Sequence, residues 1–171
     1  MDRNPQIFQI VGYQNSGKTT VIQEIIRYWT EHNLSVGTIK HHGHGGTPST
    51  TNRLKDSDKH RIAGSMITAV EGKGELLLQN KDRKWALQDI LKIYELLPID
   101  LILIEGYKYE SYPKAVIIRN KEDIKLLDKL NNISAVLTWI PLTIRHSYPV
   151  FPITEYKIFH EWLFENLSKN E

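Results

Sequence analysis

The run Gly12-Tyr13-Gln14-Asn15-Ser16-Gly17-Lys18-Thr19 constrains this chain more than any other feature. It fits G-x-x-x-x-G-K-[S/T] at every fixed position. The two glycines let the backbone turn so that successive N–H groups point at phosphate oxygens. Lys18 supplies a point charge for the terminal phosphates, and Thr19 a hydroxyl for Mg²⁺. A helix opening at Lys18 adds the positive end of its dipole. The flanks agree with this reading. Ile7 to Val11 forms an apolar strand, and Val21, Ile22, Ile25, Ile26 and Trp29 put one apolar stripe on a helix from Lys18 to about His32. Chance does not arrange strand, glycine loop and helix in that order.

The remaining pattern alternates strands with helices. Leu34–Ile39, Leu101–Ile104, Ala115–Arg119 and Ile133–Leu137 read as strands. Ser65–Val70 and Glu75–Gln79 read as two more, joined by Glu71-Gly72-Lys73-Gly74. Helices are expected over Trp85–Leu97, ended by Pro98, near Asp123–Leu130, and after a Thr154 cap with Ile158, Phe159, Trp162, Leu163 and Leu167 on one face. The expected fold is α/β of the P-loop NTPase class: a mainly parallel sheet flanked by helices, with an inserted β-hairpin. At 171 residues it is expected to be a single nucleotide-binding domain over 1–171.

Composition removes several function classes. The chain has no cysteine, which excludes disulfides, zinc–thiolate sites and thiol nucleophiles. No run approaches the roughly 18 apolar residues of a membrane span, and the polar Met1-Asp2-Arg3-Asn4-Pro5 is unlike a signal peptide. A cytoplasmic protein with no membrane partner is expected. Net charge is only +2, which argues against nucleic acid as partner. The charge is uneven, however: Lys40 to Arg61 carries five cations, two anions and four of the seven histidines. Such a patch suits an anionic ligand such as a nucleotide, or is a solvated basic loop.

Three further segments are candidates for the site. Asp100-Leu101-Ile102-Leu103-Ile104-Glu105 is an apolar strand ending in a carboxylate at the sheet edge where ligands bind. Glu105 there would hold Mg²⁺ or orient an attacking water. Asn120-Lys121-Glu122-Asp123 spells N-K-x-D after a strand. Either Asn120, Lys121 and Asp123 read guanine, or the segment is a polar turn in which Asp123 caps the next helix. Lys40-His41-His42-Gly43-His44 suits contact with an anion or substrate, a structural role, or a metal, in that order.

Together, Gly12 to Thr20, Thr38-Ile39-Lys40-His41-His42-Gly43-His44, the stretch Asp56-Ser57-Asp58-Lys59-His60-Arg61-Ile62-Ala63-Gly64-Ser65, and Leu103-Ile104-Glu105-Gly106-Tyr107-Lys108 resemble the molybdopterin-guanine dinucleotide biosynthesis protein B (MobB) family. The match runs from residue 7 to roughly 140, with Pro149 to Leu167 fitting the closing strand and helix. The resemblance implies a GTP-binding, weakly active GTPase. Its role would be to assist attachment of GMP to molybdopterin, as a homodimeric adapter for the guanylyltransferase MobA. It implies that Gly12, Tyr13, Gln14, Asn15, Ser16, Gly17, Lys18, Thr19 and Thr20 hold the phosphates of GTP. Thr19 and Glu105 would stand by Mg²⁺, and Lys40, His41, His42, Asp56, Ser57 and His60 would line the loop side. Where relatives carry acidic residues soon after the histidines, this chain has Gly45-Gly46-Thr47-Pro48-Ser49, which weakens a metal role for that loop.

Lys18 and Glu105 are the candidate catalytic residues, and turnover is expected to be slow. No glutamine or arginine finger is evident to orient water or neutralise developing charge; Gln14 and Glu105 are the nearest candidates. Two other readings stand beside the adapter. A small-molecule kinase would need an arginine-bearing lid, and after Arg83 only Arg119 and Arg145 remain. A metallochaperone GTPase would use His41, His42 and His44.

Overall fold

The computed structural model describes residues 4–41, 56–143 and 147–168, with the side chains of Asp56, Ser57 and Ser168 outside that description. His42, His44 and the Gly45–Ser49 stretch therefore lie outside the described residues. The chain forms two compact units, Met1–Gly43 with Tyr94–Glu171, and His44–Ile93.

The first unit is a six-stranded parallel sheet in the order β2 (Val36–Lys40), β5 (Leu101–Glu105), β1 (Gln6–Gly12), β6 (Lys114–Ile118), β7 (Ile133–Thr138), β8 (Val150–Pro152). β1, β5 and β6 are apolar on both faces because each face is covered, as a central parallel strand requires. On one face Phe8, Ile10, Leu101, Leu103, Ala115 and Ile117 pack against Val21, Ile22, Ile25 and Trp29 of α1 (Lys18–Glu31) and Phe159, Leu163 and Leu167 of α5 (Tyr156–Ser168). On the other, Val11, Val116, Ile118 and Val136 meet Leu126 and Leu127 of α4 (Lys125–Lys129). Strand order reverses at β1: β2 and β5 lie to one side, and β6, β7 and β8 to the other. Open α/β sheets bind ligands outside the carboxyl ends of their strands at such a switch point, and here the glycine loop fills it.

The second unit carries α2 (Asp56–Ile62) and a two-stranded antiparallel sheet of β3 (Ile67–Gly72) and β4 (Glu75–Asn80). Lys73 and Gly74 both take positive φ, 53° and 80°, the geometry of a tight two-residue hairpin turn. Ile67, Val70, Leu76 and Leu77 of this hairpin are all exposed.

Two helices differ from expectation at their ends. α3 (Leu87–Tyr94) starts at Leu87, not Trp85, and stops at Tyr94, not Leu97, and Leu96 and Leu97 are exposed. Pro98 disfavours helical backbone at the residue before it, and the last turn closes with Leu97 N–H on the Tyr94 carbonyl. Thr154 lies inside a short 3-10 turn, Ile153–Glu155, that leads into α5 and has Pro152, not Thr154, at its N-cap. Ile158, expected on the apolar face of α5, is exposed.

Candidate phosphate site

The glycine loop joins β1 to α1. Gly17 precedes the helix with φ +96° and ψ 9°, a conformation that a side chain strains, and Asn15 is also left-handed at φ 56°. The first bond of the α1 ladder runs from Val21 N–H to the Gly17 carbonyl, 3.0 Å. The N–H groups of the preceding turn are thus outside the helix ladder. Lys18 folds back over the loop, donating from Nζ to the Tyr13 carbonyl at 2.6 Å, with Ser16 Oγ at 3.5 Å. Burial lowers the pKa of its ammonium. Glu105 opposes that shift, and the nearby cations Lys108, Lys40 and Arg119 reinforce it.

One flank of the loop is the β5–β2 side. Ladder register sets Glu105 beside Ile10 of β1 and Lys40 of β2. Glu105 accepts a hydrogen bond from Thr19 Oγ1 at 3.1 Å and pairs with Lys40 Nζ at 3.2 Å. Two hard oxygen donors face each other there, the ligand type Mg²⁺ takes, so the residues present fit that ion. After Glu105 the chain turns at Gly106, with φ +94°; a Cβ there would stand 3.1 Å from His41 Cβ. The fully buried Gln9 holds this turn by donating its amide to the Gly106 and Tyr107 carbonyls, 3.1 and 3.0 Å. His41 packs tilted against Tyr107, ring centroids 4.3 Å and planes 39° apart.

The opposite flank is built from the ends of β6 and β7. Arg119 forks onto Asp123, Nε to Oδ2 at 2.7 Å and Nη2 to Oδ1 at 3.0 Å, and reaches the Gln14 carbonyl with Nη1 at 2.8 Å. The buried Asp123 also accepts the Arg119 backbone N–H. Arg119 holds its carboxyl below the usual range despite burial. Asn120 Oδ1 accepts the N–H groups of Glu122 and Asp123, so Asn120, not Asp123, is the cap of this turn. Trp139 donates Nε1 to the Ser16 carbonyl at 2.9 Å.

The candidates are therefore placed unevenly. Gly12 to Thr20, Lys40, His41 and Glu105 gather at the switch point. Asn120, Lys121 and Asp123 stand beside the loop, but with both Asp123 oxygens already engaged. Asp56, Ser57 and His60 belong to α2 of the other unit. Among the described residues no three histidine or acidic side chains gather as a metal set. Sequence reasoning missed Gln9, Arg119 and Trp139 as loop supports; an isolated polar residue inside an apolar strand was the one available signal, at Gln9.

Comparison with known proteins agrees with this geometry. Residues 7–139 match the family model for molybdopterin guanine dinucleotide synthesis protein B (MobB). A probable molybdopterin-guanine dinucleotide biosynthesis adapter protein of Bacillus subtilis is 45% identical over 130 residues, 76% of this chain and 75% of that protein. The crystal structure of a MobB homologue from Bacillus stearothermophilus superposes with a TM-score of 0.74 at 35% identity, covering 99% of each chain. That of Bacillus subtilis MobB gives 0.73 at 37% identity, covering 94% of this chain and 96% of the other. With a shared P-loop sheet and a match over most of its length, the chain belongs to the molybdopterin guanine dinucleotide synthesis protein B family.

Proposed function

We propose that this protein is a GTP-binding adapter of molybdopterin-guanine dinucleotide synthesis, with slow GTPase activity. It would act in the cytoplasm as a homodimer beside the guanylyltransferase that joins GMP to molybdopterin. Family membership supports the pathway. The observation that carries nucleotide binding is Lys18 and Thr19 at the mouth of the β1–α1 loop, with Thr19 facing Glu105. In this reading Gly12 to Thr20 bind the polyphosphate, and Thr19 and Glu105 hold Mg²⁺. The ion would neutralise phosphate charge when bound. Lys40 shares Glu105 and yields when the ion competes for it.

Slow turnover fits the residues at hand. Arg119 is committed to Asp123 and to the Gln14 carbonyl, so it braces the loop and is not a mobile arginine finger. The same commitment weighs against the kinase reading, which needed a lid arginine. His41 packs on Tyr107, which favours a structural or substrate contact for it over a metal. The hairpin supports the dimer: an isolated two-stranded sheet is marginal in water and its open edges invite pairing, so a second copy would cover Ile67, Val70, Leu76 and Leu77.

Calorimetry with GTP and Mg²⁺ tests the reading. Lys18→Ala is expected to weaken GTP roughly 10–100-fold, the scale of a lost charge-assisted contact. The purified guanylyltransferase should be retained on the immobilised wild-type chain. Unchanged GTP binding and unchanged molybdoenzyme maturation with Lys18→Ala would remove the proposal.

A further inference from the structure

A nucleotide anchored in the Gly12–Thr19 loop must lay its nucleoside along one flank or the other, and the flanks differ in chemistry. The β5 flank offers Thr19, Glu105 and Lys40, which suit terminal phosphates and a cation. Past Ser16 and Gly17 the wall turns apolar. A Cβ on Gly17 would stand 3.5 Å from Trp139 Cζ2 and 3.4 Å from Ile153 Cδ1. Those two side chains open onto a cavity of about 430 Å³, also lined by Pro141, Leu142, Pro152 and Thr154. Among the described residues no charged side chain lines it, and its size falls in the ~300–1,000 Å³ range of small-molecule sites. Trp139 is 55% exposed although its N–H is held by Ser16, so its ring offers an open surface beside the phosphate loop.

The turn after β6 offers no such place. Asp123 would have to surrender Arg119 to accept two N–H groups from guanine, and the Asn120 side-chain Oδ1 already accepts from two backbone donors. Spacing points the same way. β6 lies directly beside β1, so a base at its end would crowd the loop. β7 and β8 stand two and three strand spacings away, ~10 and ~14 Å, which leaves room for the ribose.

We propose that the purine of the bound nucleotide lies in the β7–β8 cavity against the Trp139 ring, and that Arg119 and Asp123 brace the phosphate loop and do not read the base. This inference rests on the nucleotide-binding reading above and names the base subsite of that site. Flat faces attract by stacking whatever the base edge, so guanine and adenine lose equally when the indole is removed.

The test measures equilibrium binding of GTP, ATP, xanthosine triphosphate and inorganic tripolyphosphate to the full chain, with Mg²⁺. Both Trp139→Ala and Trp139→Phe lose the N–H that holds the Ser16 carbonyl, so tripolyphosphate weakens by the same factor in each. Trp139→Ala is expected to weaken GTP and ATP about tenfold beyond that factor, the scale of one lost base–aromatic stack, and Trp139→Phe recovers most of this further loss. Asp123→Asn leaves the preference between GTP and xanthosine triphosphate where it was. GTP quenches the emission of the wild-type chain more than that of Trp139→Phe, a readout that survives if Trp139→Ala fails to fold. The inference is overturned if Trp139→Ala lowers tripolyphosphate and GTP by the same factor, if Trp139→Phe quenches as the wild type does, or if Asp123→Asn switches preference to xanthosine triphosphate. GTP binding untouched by either Trp139 substitution sinks the stacking site and leaves the nucleotide reading standing. A wild-type chain that binds neither GTP nor tripolyphosphate sinks both.

Discussion

The two flanks of the phosphate loop are built by opposite means. On the β5 side, polar groups stand at strand ends: Glu105, Lys40 and Thr19 share hydrogen bonds that ligand atoms can take over. On the β6–β7 side, an arginine–aspartate fork and an indole N–H hold loop carbonyls directly, at Gln14 and Ser16. Groups that exchange partners need an alternative partner within reach, whereas groups that fix geometry do so best when their hydrogen bonds are fully satisfied. The difference teaches which side of the cradle adapts to charge and which side sets its shape.

The largest effect expected from breaking the rigid flank is on stability. Arg119→Ala leaves the Asp123 carboxylate, 2% exposed, without its counter-ion. Removing the partner of that carboxylate destabilises the fold, read as a lower urea midpoint. Asp123→Asn in that background restores part of the loss, since a neutral amide tolerates burial better. The pH dependence follows from the sign of the shift. Arg119 holds the folded carboxyl below its ordinary 3.8. The brace therefore contributes fully above that value and is lost as pH falls through the depressed folded pKa. Arg119→Ala removes this resistance, so its acid unfolding begins at higher pH. A variant losing under about 0.5 kcal/mol, the range of an ordinary surface change, would make the fork an ornament of the surface.

Breaking the adaptable flank is expected to alter ligand response more than fold. Glu105→Gln keeps the shape and removes the charge shared by Thr19 and Lys40. The Mg²⁺-dependent part of nucleotide affinity should fall roughly 10–100-fold, as for other changes around metal ligands. Affinity in the presence of chelator should hold or rise, because Lys40 is released to the phosphates. Calorimetry with and without Mg²⁺ checks this, and an equal loss in both conditions would contradict the division between the flanks.

The same contrast explains what the sequence made legible. The glycine loop, β1, β5 and α1 are local patterns: an apolar run, a fixed motif and a helical stripe each report themselves within about a dozen residues. Glu105 was readable because it ends such a run. The rigid flank was not, because its meaning lies in pairings across the fold. Trp139 is the residue after an apolar strand until its N–H meets Ser16, 123 positions away in sequence. Asp123 looked like a base reader or a cap because N-K-x-D is a string, and the string does not show that Arg119, four residues earlier, already occupies the carboxylate. The hairpin turn was narrowed from four residues to Lys73-Gly74 by backbone geometry alone. Thr154 failed as a cap because a 3-10 turn starting at Ile153 intervenes before α5.

A matched pair of glycines sharpens the comparison at a smaller scale. Gly17 faces the rigid flank and Gly106 the adaptable one, both left-handed, at +96° and +94°. Alanine strains either by about 1–2 kcal/mol. At Gly17 the new methyl meets Ile153 and Trp139 at 3.4–3.5 Å, ordinary contact; at Gly106 it meets His41 Cβ at 3.1 Å, which is tight. Gly106→Ala should therefore be the less stable of the two in thermal melts. The reverse order would mean that the His41–Tyr107 contact gives way more easily than the apolar wall.

The smallest effect concerns Lys18, which stands between the flanks. Burial lowers its pKa from the ordinary 10.5, and Lys40, Lys108 and Arg119 push in the same direction against Glu105. A polyphosphate brings negative charge and raises that pKa again. Below that lowered value the ammonium is charged with or without ligand, so affinity is flat there. As pH climbs toward the lowered value, the free protein loses the proton first, and binding must take one up. Affinity then declines with pH, by at most about tenfold per pH unit for one linked proton. ATP is the probe, since its base does not titrate in the alkaline range. Lys18→Arg binds through a guanidinium that stays charged throughout, so its affinity is lower and its profile flat over the same range. Parallel decline in both proteins would assign the titration elsewhere, to the β5 flank or the ligand.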